Sequence, residues 1–343
     1  MDALSSFIPM DRRQALAQGA ALPPQTTGAA RLTDLAGYTA LTGAFVAARG
    51  PQAGGEAVFR ALAPLFATQI DLIHAYRGSV LTFSGDALTC WFDADDGARA
   101  LAAACALQAA MRAAPPLRLP DGTSHALALK TVLAAGPARR FLVGDPALGL
   151  VDVLAGAPLA RLGAGEPLAA GGEILLDDAV ATATGATGPA RPDPEDATAG
   201  PFLCLATPPA GLPAPTPWPP LPPDALTEAQ LRPWVPPVLW PRLRAAATFW
   251  IELRPAVVLF LRFAGIDYTR PPRGAPRTGA RPRAPARRRP TWPGKPFSTW
   301  IPAGRPTSRR GSWPTAWPRW TRRSWSGCRC WVRRWGSRCR RRR

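Results

Sequence analysis

Two aspartates in this sequence occupy positions where the chain is predicted to change direction. Asp34 in "RLTDLAGYTALT" ends an apolar, strand-like run, and Gly37 and Thr39 follow it at a predicted helix start. Asp86 in "LTFSGDALTCWF" occupies the predicted tip of a hairpin, with a glycine at the turn. If that hairpin lies beside the first strand, the two carboxylates converge next to a helix N-terminus. Paired Mg²⁺ ions could bridge them there, and backbone N–H groups could bind phosphate.

Each aspartate taken alone also has a purely structural explanation. An Asp at a strand end commonly caps a helix or forms a turn, and Gly-Asp is a common hairpin turn. The chemical interpretation therefore depends on both residues occurring in order, separated by one long amphipathic stretch.

The segments around these aspartates alternate between strand and helix periodicity. Two long helices are predicted, in "GGEAVFRALAPLFATQIDLIHAYRG", which Gly78 should end, and in "DDGARALAAACALQAAMRAA". Strands are predicted in "ARLTDL", "SVLTF", "LTCWF", "HALALKTVLAAG", "RRFLVGD" and "GLVDVLAG", and "EILLDDAVATAT" predicts a strand and a helix. This order predicts an α+β fold, a ferredoxin-like βαββαβ domain with helices packed on a mostly antiparallel sheet.

Charge divides the chain into two parts. Residues 1–268 hold 19 Lys+Arg and 23 Asp+Glu, net −4, whereas residues 269–343 hold 23 Lys+Arg and no acid, net +23, which together give the overall +19. The basic character therefore belongs to the last 75 residues and gives no nucleic-acid signal for the body.

The cysteines and apolar runs of the body bear on its location. Cys90, Cys105 and Cys204 lie in apolar stretches without metal-ligand spacing, which indicates buried thiols in a reducing compartment. The N-terminus has no signal-peptide pattern, and the longest apolar stretch is too short to span a bilayer. We therefore expect a cytoplasmic protein with no membrane contact.

The two aspartate motifs resemble those of the class III nucleotidyl cyclases. "RLTDLAGYTALT" is similar to the first metal motif of that family, an Asp followed by a hydrophobic residue, one further residue, Gly, an aromatic residue and Thr. "GSVLTFSGDALTCWF" is similar to the second, a Gly, a strand, Gly-Asp and a second strand. The likeness covers about residues 28–206 and is nearest to the soluble, tandem-domain adenylyl cyclases, including the lead-in "DRRQALAQG".

The resemblance implies a two-metal reaction that converts ATP to cyclic AMP and pyrophosphate in intracellular signalling. Asp34 and Asp86 would be the catalytic residues and would hold two Mg²⁺ ions, or Mn²⁺ as the alternative, joined by the backbone carbonyl of Leu35. One metal would lower the pKa of the ribose 3′-OH, and the other would hold the triphosphate for in-line attack on the α-phosphorus. The β- and γ-phosphates would bind the backbone amides of Ala36, Gly37, Tyr38 and Thr39.

In the resembling family a complete site forms between two cyclase domains, and the second domain supplies a Lys, an Asp, an Asn and an Arg. In this chain Thr82 stands at the Lys position of the base pocket, and Asp152 matches the Asp position. The Asn and Arg positions fall at Leu159 and Gly163, and Arg161 lies two residues away, on a different side of a helix. The resemblance therefore implies a metal-donating domain that needs a second cyclase domain, in cis or in trans. ATP and GTP both stay open as the substrate.

The resemblance and the composition together give the expected domain boundaries. Residues 1–27 are expected to form an N-terminal helix and lead-in, and the resemblance implies a cyclase domain over residues 28–206. Residues 207–223, "TPPAGLPAPTPWPPLPP", predict a stiff proline-rich linker. Residues 224–268 predict a helix in "ALTEAQLRPWV" and then, in "AVVLFLRFAGIDY", the first strand of a second cyclase domain. Residues 269–343 should be disordered, because they cannot bury enough apolar surface.

Three interpretations of the basic tail compete. It could bind nucleic acid, it could tether the protein to a membrane or a partner, or it could be translated out of frame from a GC-rich gene. Eight Trp, no acid, one Lys (Lys295) against 22 Arg and no regular period favour the third. Two other functions stay open. The chain could be a catalytically silent cyclase-homology module for regulation or dimerisation, or it could bind nucleic acid through its Arg-rich tail. We do not expect a nucleic-acid partner.

Overall fold

The computed structural model describes residues 4–193 and 200–244 and, in the basic tail, the backbone of residues 321–325 and 328–332. The chain divides into two compact units, Met1–Pro255 and Ala256–Arg343. The first unit contains the segment with both aspartates.

One sheet forms the centre of the first unit. Its strands are β1 (Gln25–Ala36), β2 (Ser79–Ser84), β3 (Ala87–Asp93), β6 (Ala128–Asp145), β7 (Gly149–Gly156), β8 (Ile174–Leu176), β9 (Ala190–Arg191) and β10 (Phe202–Cys204). The order across the sheet is β2-β3-β1-β6-β8-β10-β9, and β7 pairs with the far end of β6. The pairs are antiparallel except β6 with β8. A separate short ribbon joins β4 (Leu117–Arg118) to β5 (Ser124–His125).

The helices cover both faces of this sheet. They are α1 (Met10–Ala17), α2 (Tyr38–Arg49), α3 (Pro51–Ala75), α4 (Ala98–Ala113), α5 (Ala157–Gly165), α6 (Asp178–Thr184), α7 (Glu228–Leu231) and α8 (Trp240–Arg244). Successive side chains of a strand point to opposite faces, so Ala29 and Leu133 pack beneath α3 and α4. Their neighbours Ala30 and Val132 pack with Leu162 of α5. The predicted α+β fold with helices on a mostly antiparallel sheet is confirmed.

Two glycines determine the arrangement of α2 and α3. Gly50 separates the two helices, and Gly54 allows them to approach closely. The sequence predicted a helix start after Gly37 and a long helix from about Gly54, and they occur as α2 and α3; Gly50 adopts φ +80 between them, and α3 begins at Pro51, a few residues earlier than predicted. Gly54 then lets the two helices approach closely, since a Cβ there would lie 2.7 Å from the Phe45 carbonyl oxygen and from the Val46 Cα.

Gly54→Ala is expected to lower the free energy of unfolding by about 1–3 kcal/mol, because the added methyl group meets rigid backbone. Gly43 in α2 is the matched control, since a Cβ there would meet nothing within 4 Å. Gly43→Ala should raise stability by about 0.5–1 kcal/mol through helix propensity alone. Urea unfolding of both variants measures the difference. Equal shifts of the same sign would contradict the close helix approach.

Gly78 plays a different role from the predicted helix terminator. The helix ends at Ala75, and Arg77, not Gly78, takes the left-handed conformation with φ +56. A Cβ at Gly78 would lie 2.6 Å from the Phe92 ring, so the glycine is needed for packing between the helix end and β3.

Strand β6 is one continuous element where two strands were predicted. Its pairing with β1 passes through Gly136 and Pro137 and ends at Arg139, opposite Gln25. Gly136 takes φ +152, which lets the strand bend at this point without ending. The end of β6 that extends beyond β1 pairs with β7 alone.

The predicted linker is attached to the first unit. Residues 207–223, called the proline strap below, contain no helix or strand, as expected. The Trp218 Nε1–H nevertheless donates to the Gly78 carbonyl oxygen at 2.8 Å, and Gln14 Nε2 donates to the Pro219 carbonyl oxygen at 2.7 Å. The segment therefore packs along the domain instead of leading away from it.

The remaining predictions concern the chain after the strap. The predicted helix in "ALTEAQLRPWV" occurs as α7, with a capping box between Thr227 and Gln230, and continues as a 3₁₀ turn at Arg232–Trp234. The strand predicted in "AVVLFLRFAGIDY" lies outside the described residues. Within the tail, β11 (Thr321–Trp325) pairs with β12 (Cys328–Val332), where no regular structure was predicted. Thr, Trp and Val in these stretches favour strands.

Candidate active site

The two aspartates lie side by side at one end of the sheet. Strand β1 pairs with β3 as far as Thr33 opposite Leu88, and the turn between Ser84 and Ala87 is formed by Gly85 and Asp86. Asp34 follows Thr33 directly and therefore lies next to this turn. Its side chain is 18% exposed, so it is accessible at the edge of the core.

The electrostatics of the pair reflect this proximity. The pKa of Asp86 is raised above its ordinary value, first by burial and then by the neighbouring Asp34 carboxylate. The Lys130 ammonium partly offsets that rise. A bound cation next to these two carboxylates would favour the charged form of Asp86.

Lys130 on β6 contacts this pair. It lies opposite Asp34 in the β1–β6 register, and its Nζ is 3.4 Å from Asp34 Oδ2 and 3.4 Å from Glu166 Oε1. Burial alone would lower the pKa of Lys130, but the Glu166 and Asp34 carboxylates outweigh it and raise the pKa. Lys130 is therefore a fixed positive charge at the edge of the candidate site.

Sequence reasoning missed Lys130 and Glu166, because their approach to Asp34 depends on strand pairing over long sequence distances. One compositional signal was present for the lysine. The chain contains 42 Lys+Arg, of which only Lys130 and Lys295 are lysine.

The start of α2 forms the third side of the site. Gly37 takes the left-handed conformation with φ +83, and no side chain caps the helix N-terminus. Gly37 and Thr39 are exposed, while Tyr38 packs partly against the core. First-turn N–H groups and the helix dipole favour an anion at such a terminus. His125 of β5 lies beside it, with Nε2 3.5 Å from the position that a Cβ on Gly37 would take.

Leu35 separates the aspartate from the helix. Its side chain is buried with Leu41 and Phe45, so only its backbone can take part in a site at the surface. The Ala36 side chain is half-buried. The residues predicted for metal and phosphate binding, Asp34 to Thr39 and Asp86, are therefore close together in space.

The donor set suits a hard divalent cation. Mg²⁺ prefers oxygen ligands and commonly uses one or two protein carboxylates together with substrate phosphates and water. Asp34 and Asp86 supply two such carboxylates. Among the described residues no group of three or more His, Cys, Asp or Glu side chains is arranged so that it could hold a metal ion by itself, so phosphate oxygens, water or backbone carbonyls would complete the coordination.

The two residues assigned to the base pocket have very different surroundings. Thr82 is exposed on β2, next to an irregularity in its pairing with β3. Asp152 on β7 is only 3% exposed, and both its oxygens are taken, Oδ1 by Arg140 Nε at 2.7 Å and Oδ2 by Arg12 Nε at 2.9 Å. Asp152 pairs with Leu142, twelve residues along β6 from Lys130, and is therefore not brought to Asp34 and Asp86.

Helix α5 carries the positions where the resembling family has Asn and Arg. Leu159 packs against the core, and Gly163 has no side chain. The Arg161 guanidinium is engaged away from the two aspartates: it stacks over the Phe202 ring at 3.8 Å and donates to the Gly200 carbonyl oxygen at 3.1 Å.

No protein-family model and no curated protein matches the chain. Solved structures do match. The guanylyl cyclase Cya2 is 19% identical, with a TM-score of 0.46 over 56% of this chain and 97% of that chain. The adenylyl cyclase CyaB from P. aeruginosa is 15% identical, with a TM-score of 0.44 over 53% and 95%. The guanylate cyclase domain of RhGC from Catenaria anguillulae, in complex with GTP, is 16% identical, with a TM-score of 0.42 over 53% and 96%.

Among solved structures, the chain is similar to class III adenylyl and guanylyl cyclase catalytic domains, the family that its two aspartate motifs resemble.

Proposed function

We propose that this chain supplies the metal-binding half of a nucleotidyl cyclase site, with ATP as the preferred substrate and cyclic AMP and pyrophosphate as the products. The observation that carries the proposal is the convergence of Asp34 and Asp86 beside the uncapped N-terminus of α2, with Lys130 at the edge. Carboxylates for cations and amides for phosphates are the groups that a metal-nucleotide needs.

In this proposal Asp34, Asp86 and the backbone carbonyl of Leu35 hold two Mg²⁺ ions. When bound, these ions supply Lewis acidity at the ribose 3′-oxygen and at the departing pyrophosphate. The backbone amides at the start of α2 bind and orient the β- and γ-phosphates. Lys130 pairs with both Asp34 and Glu166, and in this proposal it exchanges the contact with Asp34 for one with a phosphate oxygen once that carboxylate holds a cation.

A second cyclase domain, in cis or in trans, is part of the proposal. Asp152, assigned to base recognition, lies far along β6 from Lys130, so one domain cannot present both sets of groups to one nucleotide. Helix α5 offers no Asn or free Arg at the assigned positions. The tandem arrangement within one polypeptide stays a prediction, since the relevant strand lies outside the described residues.

The surface that we propose for this partner is the apolar arm, residues 139–153 at the β6–β7 turn. Large apolar side chains are exposed along it, among them Leu142 at 51%, Leu148 at 70% and Val151 at 53%. Exposed apolar residues that lie together on a projecting ribbon are typical of a protein–protein contact.

We also propose a cytoplasmic location, where nucleoside triphosphates and reduced thiols occur. Cys90, Cys105 and Cys204 are free thiols. Across residues 4–193 and 200–244, no helix has both the length and the apolar character needed to cross a membrane.

A catalytically silent cyclase-homology module is the second candidate, and one observation favours it. Lys130 already pairs with Asp34, and the chain lacks the side chains expected at Leu159 and Gly163. Such a module would bind a partner domain through the apolar arm without turnover.

One experiment separates the two candidates. The full chain is mixed with a separately expressed cyclase domain that contains the Asn and Arg, and cyclic nucleotide formation is measured with ATP or GTP and with Mg²⁺ or Mn²⁺. We expect metal-dependent product from the mixture, little from either protein alone, and a preference for ATP. Complex formation by sedimentation without product under any of these conditions would support the silent module instead.

A further inference from the structure

Glu166 reaches the edge of the candidate active site through a close contact between α5 and the sheet. It begins the 3₁₀ turn that directly follows α5. The preceding Gly165 allows the end of α5 to approach β6, because a Cβ there would lie 2.7 Å from Val132 Cγ1. Val132 and Lys130 are two residues apart on β6, so their side chains face the same side of the sheet. The packing of α5 therefore places the Glu166 side chain next to that of Lys130.

Asp34 lies on the same side of the sheet, directly opposite Lys130 in the β1–β6 register. Lys130 Nζ is 3.4 Å from one oxygen of each carboxylate, Asp34 Oδ2 and Glu166 Oε1. Both distances exceed the roughly 2.7–2.9 Å of a short ion-paired hydrogen bond. The ammonium group is therefore shared between two carboxylates, and neither of them holds it alone.

Of these two carboxylates, Glu166 is the stronger partner of Lys130. Burial acts to lower the pKa of Lys130, and Glu166 and then Asp34 raise it. The Glu166 side chain is 37% exposed and that of Asp34 is 18% exposed, so Glu166 lies on the solvent side of the ammonium group. Lys130 can therefore move towards Glu166 without entering the core.

Lys130 and a divalent cation would compete for the Asp34 carboxylate. A cation that binds Asp34 must displace the ammonium group, because two positive charges next to one carboxylate repel each other. Displacement would be costly if it left the partly buried ammonium without a partner. Glu166 already contacts Lys130 and is available as that partner.

We propose that Glu166 is a positioning residue of the candidate active site. It keeps Lys130 shared between two carboxylates and receives the ammonium group when a divalent cation takes Asp34. Glu166 acts through Lys130 and does not itself bind the cation. This inference rests on the proposed function, because it presupposes a cation at Asp34 and Asp86.

The test measures Mn²⁺ binding to the full chain by water-proton relaxation, without nucleotide and without a partner domain. Glu166→Gln keeps the size of the side chain but removes its charge, and it should weaken Mn²⁺ binding about three- to fivefold, the scale of one partly exposed ion pair. Glu228→Gln is the matched control, because Glu228 is also an exposed glutamate that pairs with one cation, Arg244, outside the candidate site. It should leave Mn²⁺ binding unchanged.

Lys130→Met separates an effect through Lys130 from a direct effect of the Glu166 charge on the cation. By itself this substitution should tighten Mn²⁺ binding, because it removes the competing ammonium group. When Glu166→Gln is added to Lys130→Met, Mn²⁺ affinity should change by less than about twofold, since salt partly screens a charge that does not contact the cation.

The outcomes distinguish this inference from the proposed function. Each variant is first checked by urea unfolding, and Asp34→Asn should abolish Mn²⁺ binding. Binding that survives Asp34→Asn would refute the proposed metal site itself. Binding that depends on Asp34, but that Glu166→Gln leaves unchanged or weakens equally with and without Lys130, would overturn the role of Glu166 alone.

Discussion

Asp34→Asn or Asp86→Asn in the full chain, combined with a complementary cyclase domain, is expected to lower cyclic nucleotide formation on the order of 10³-fold or more. Single charge-stabilising groups in phosphoryl transfer act on this scale. Asparagine keeps the shape and most of the hydrogen bonding of aspartate but removes the charge that would hold a divalent cation. The measurement is initial rate at saturating Mg²⁺ and ATP. Asp178→Asn, an exposed first-turn residue of α6, is the matched control.

Stability should change in the opposite direction from activity. Because burial and the neighbouring Asp34 carboxylate raise the pKa of Asp86, its charged form is disfavoured in the folded protein. Asp86→Asn removes that cost, so the variant should unfold at the same or a higher urea concentration than the unaltered chain. Near-normal turnover in either Asn variant would refute the two-metal assignment, and loss of activity together with loss of folding would leave the residues with a structural role.

Arg140→Met is expected to lower the free energy of unfolding by about 3–5 kcal/mol, the cost of breaking a buried ion pair by removing one partner. The Arg140 guanidinium donates to both Asp11 oxygens and to Asp152 Oδ1. All three side chains are buried. The substitution leaves two carboxylates in the interior with less compensation, which is why the effect should be large. Urea unfolding measures it, with Arg112→Met on the exposed side of α4 as the control.

The expected loss of unfolding free energy arises because buried carboxylates lose their cationic partner. It does not measure the net contribution of the ion network to stability. Combining Arg140→Met with Asp11→Leu should therefore recover part of the stability, because it removes the carboxylate that lost its partner while Asp152 keeps its contact with Arg12. A loss below about 1 kcal/mol for Arg140→Met alone would contradict the buried network.

This network also bears on the role of Asp152 in base recognition. A variant such as Asp152→Asn disturbs the contacts with Arg140 and Arg12. A change in the ratio of ATP to GTP turnover is therefore informative only if the variant unfolds like the unaltered chain.

Local pattern was sufficient for the elements that carry the two aspartates. The hairpin turn at Gly85 and Asp86 and the helix start after Gly37 depend on residues within one or two turns of each other. The local sequence pattern gave a wrong prediction where pairing with a neighbouring strand decided the structure. Gly136 and Pro137 looked like a strand end, but the ladder with β1 holds them in one strand.

The sequence by itself determined the type and order of the elements, the positions of Asp34 at a strand end and Asp86 at a hairpin tip, and the boundary between an acidic body and a basic tail. Only the tertiary structure decided that Lys130 and Glu166 approach Asp34, that Asp152 is buried between two arginines, and that the proline strap packs along the domain. The physical reason is the range of the interactions. Periodicity, turn chemistry and charge act between near neighbours in the chain, whereas strand register and burial join residues that are far apart in sequence.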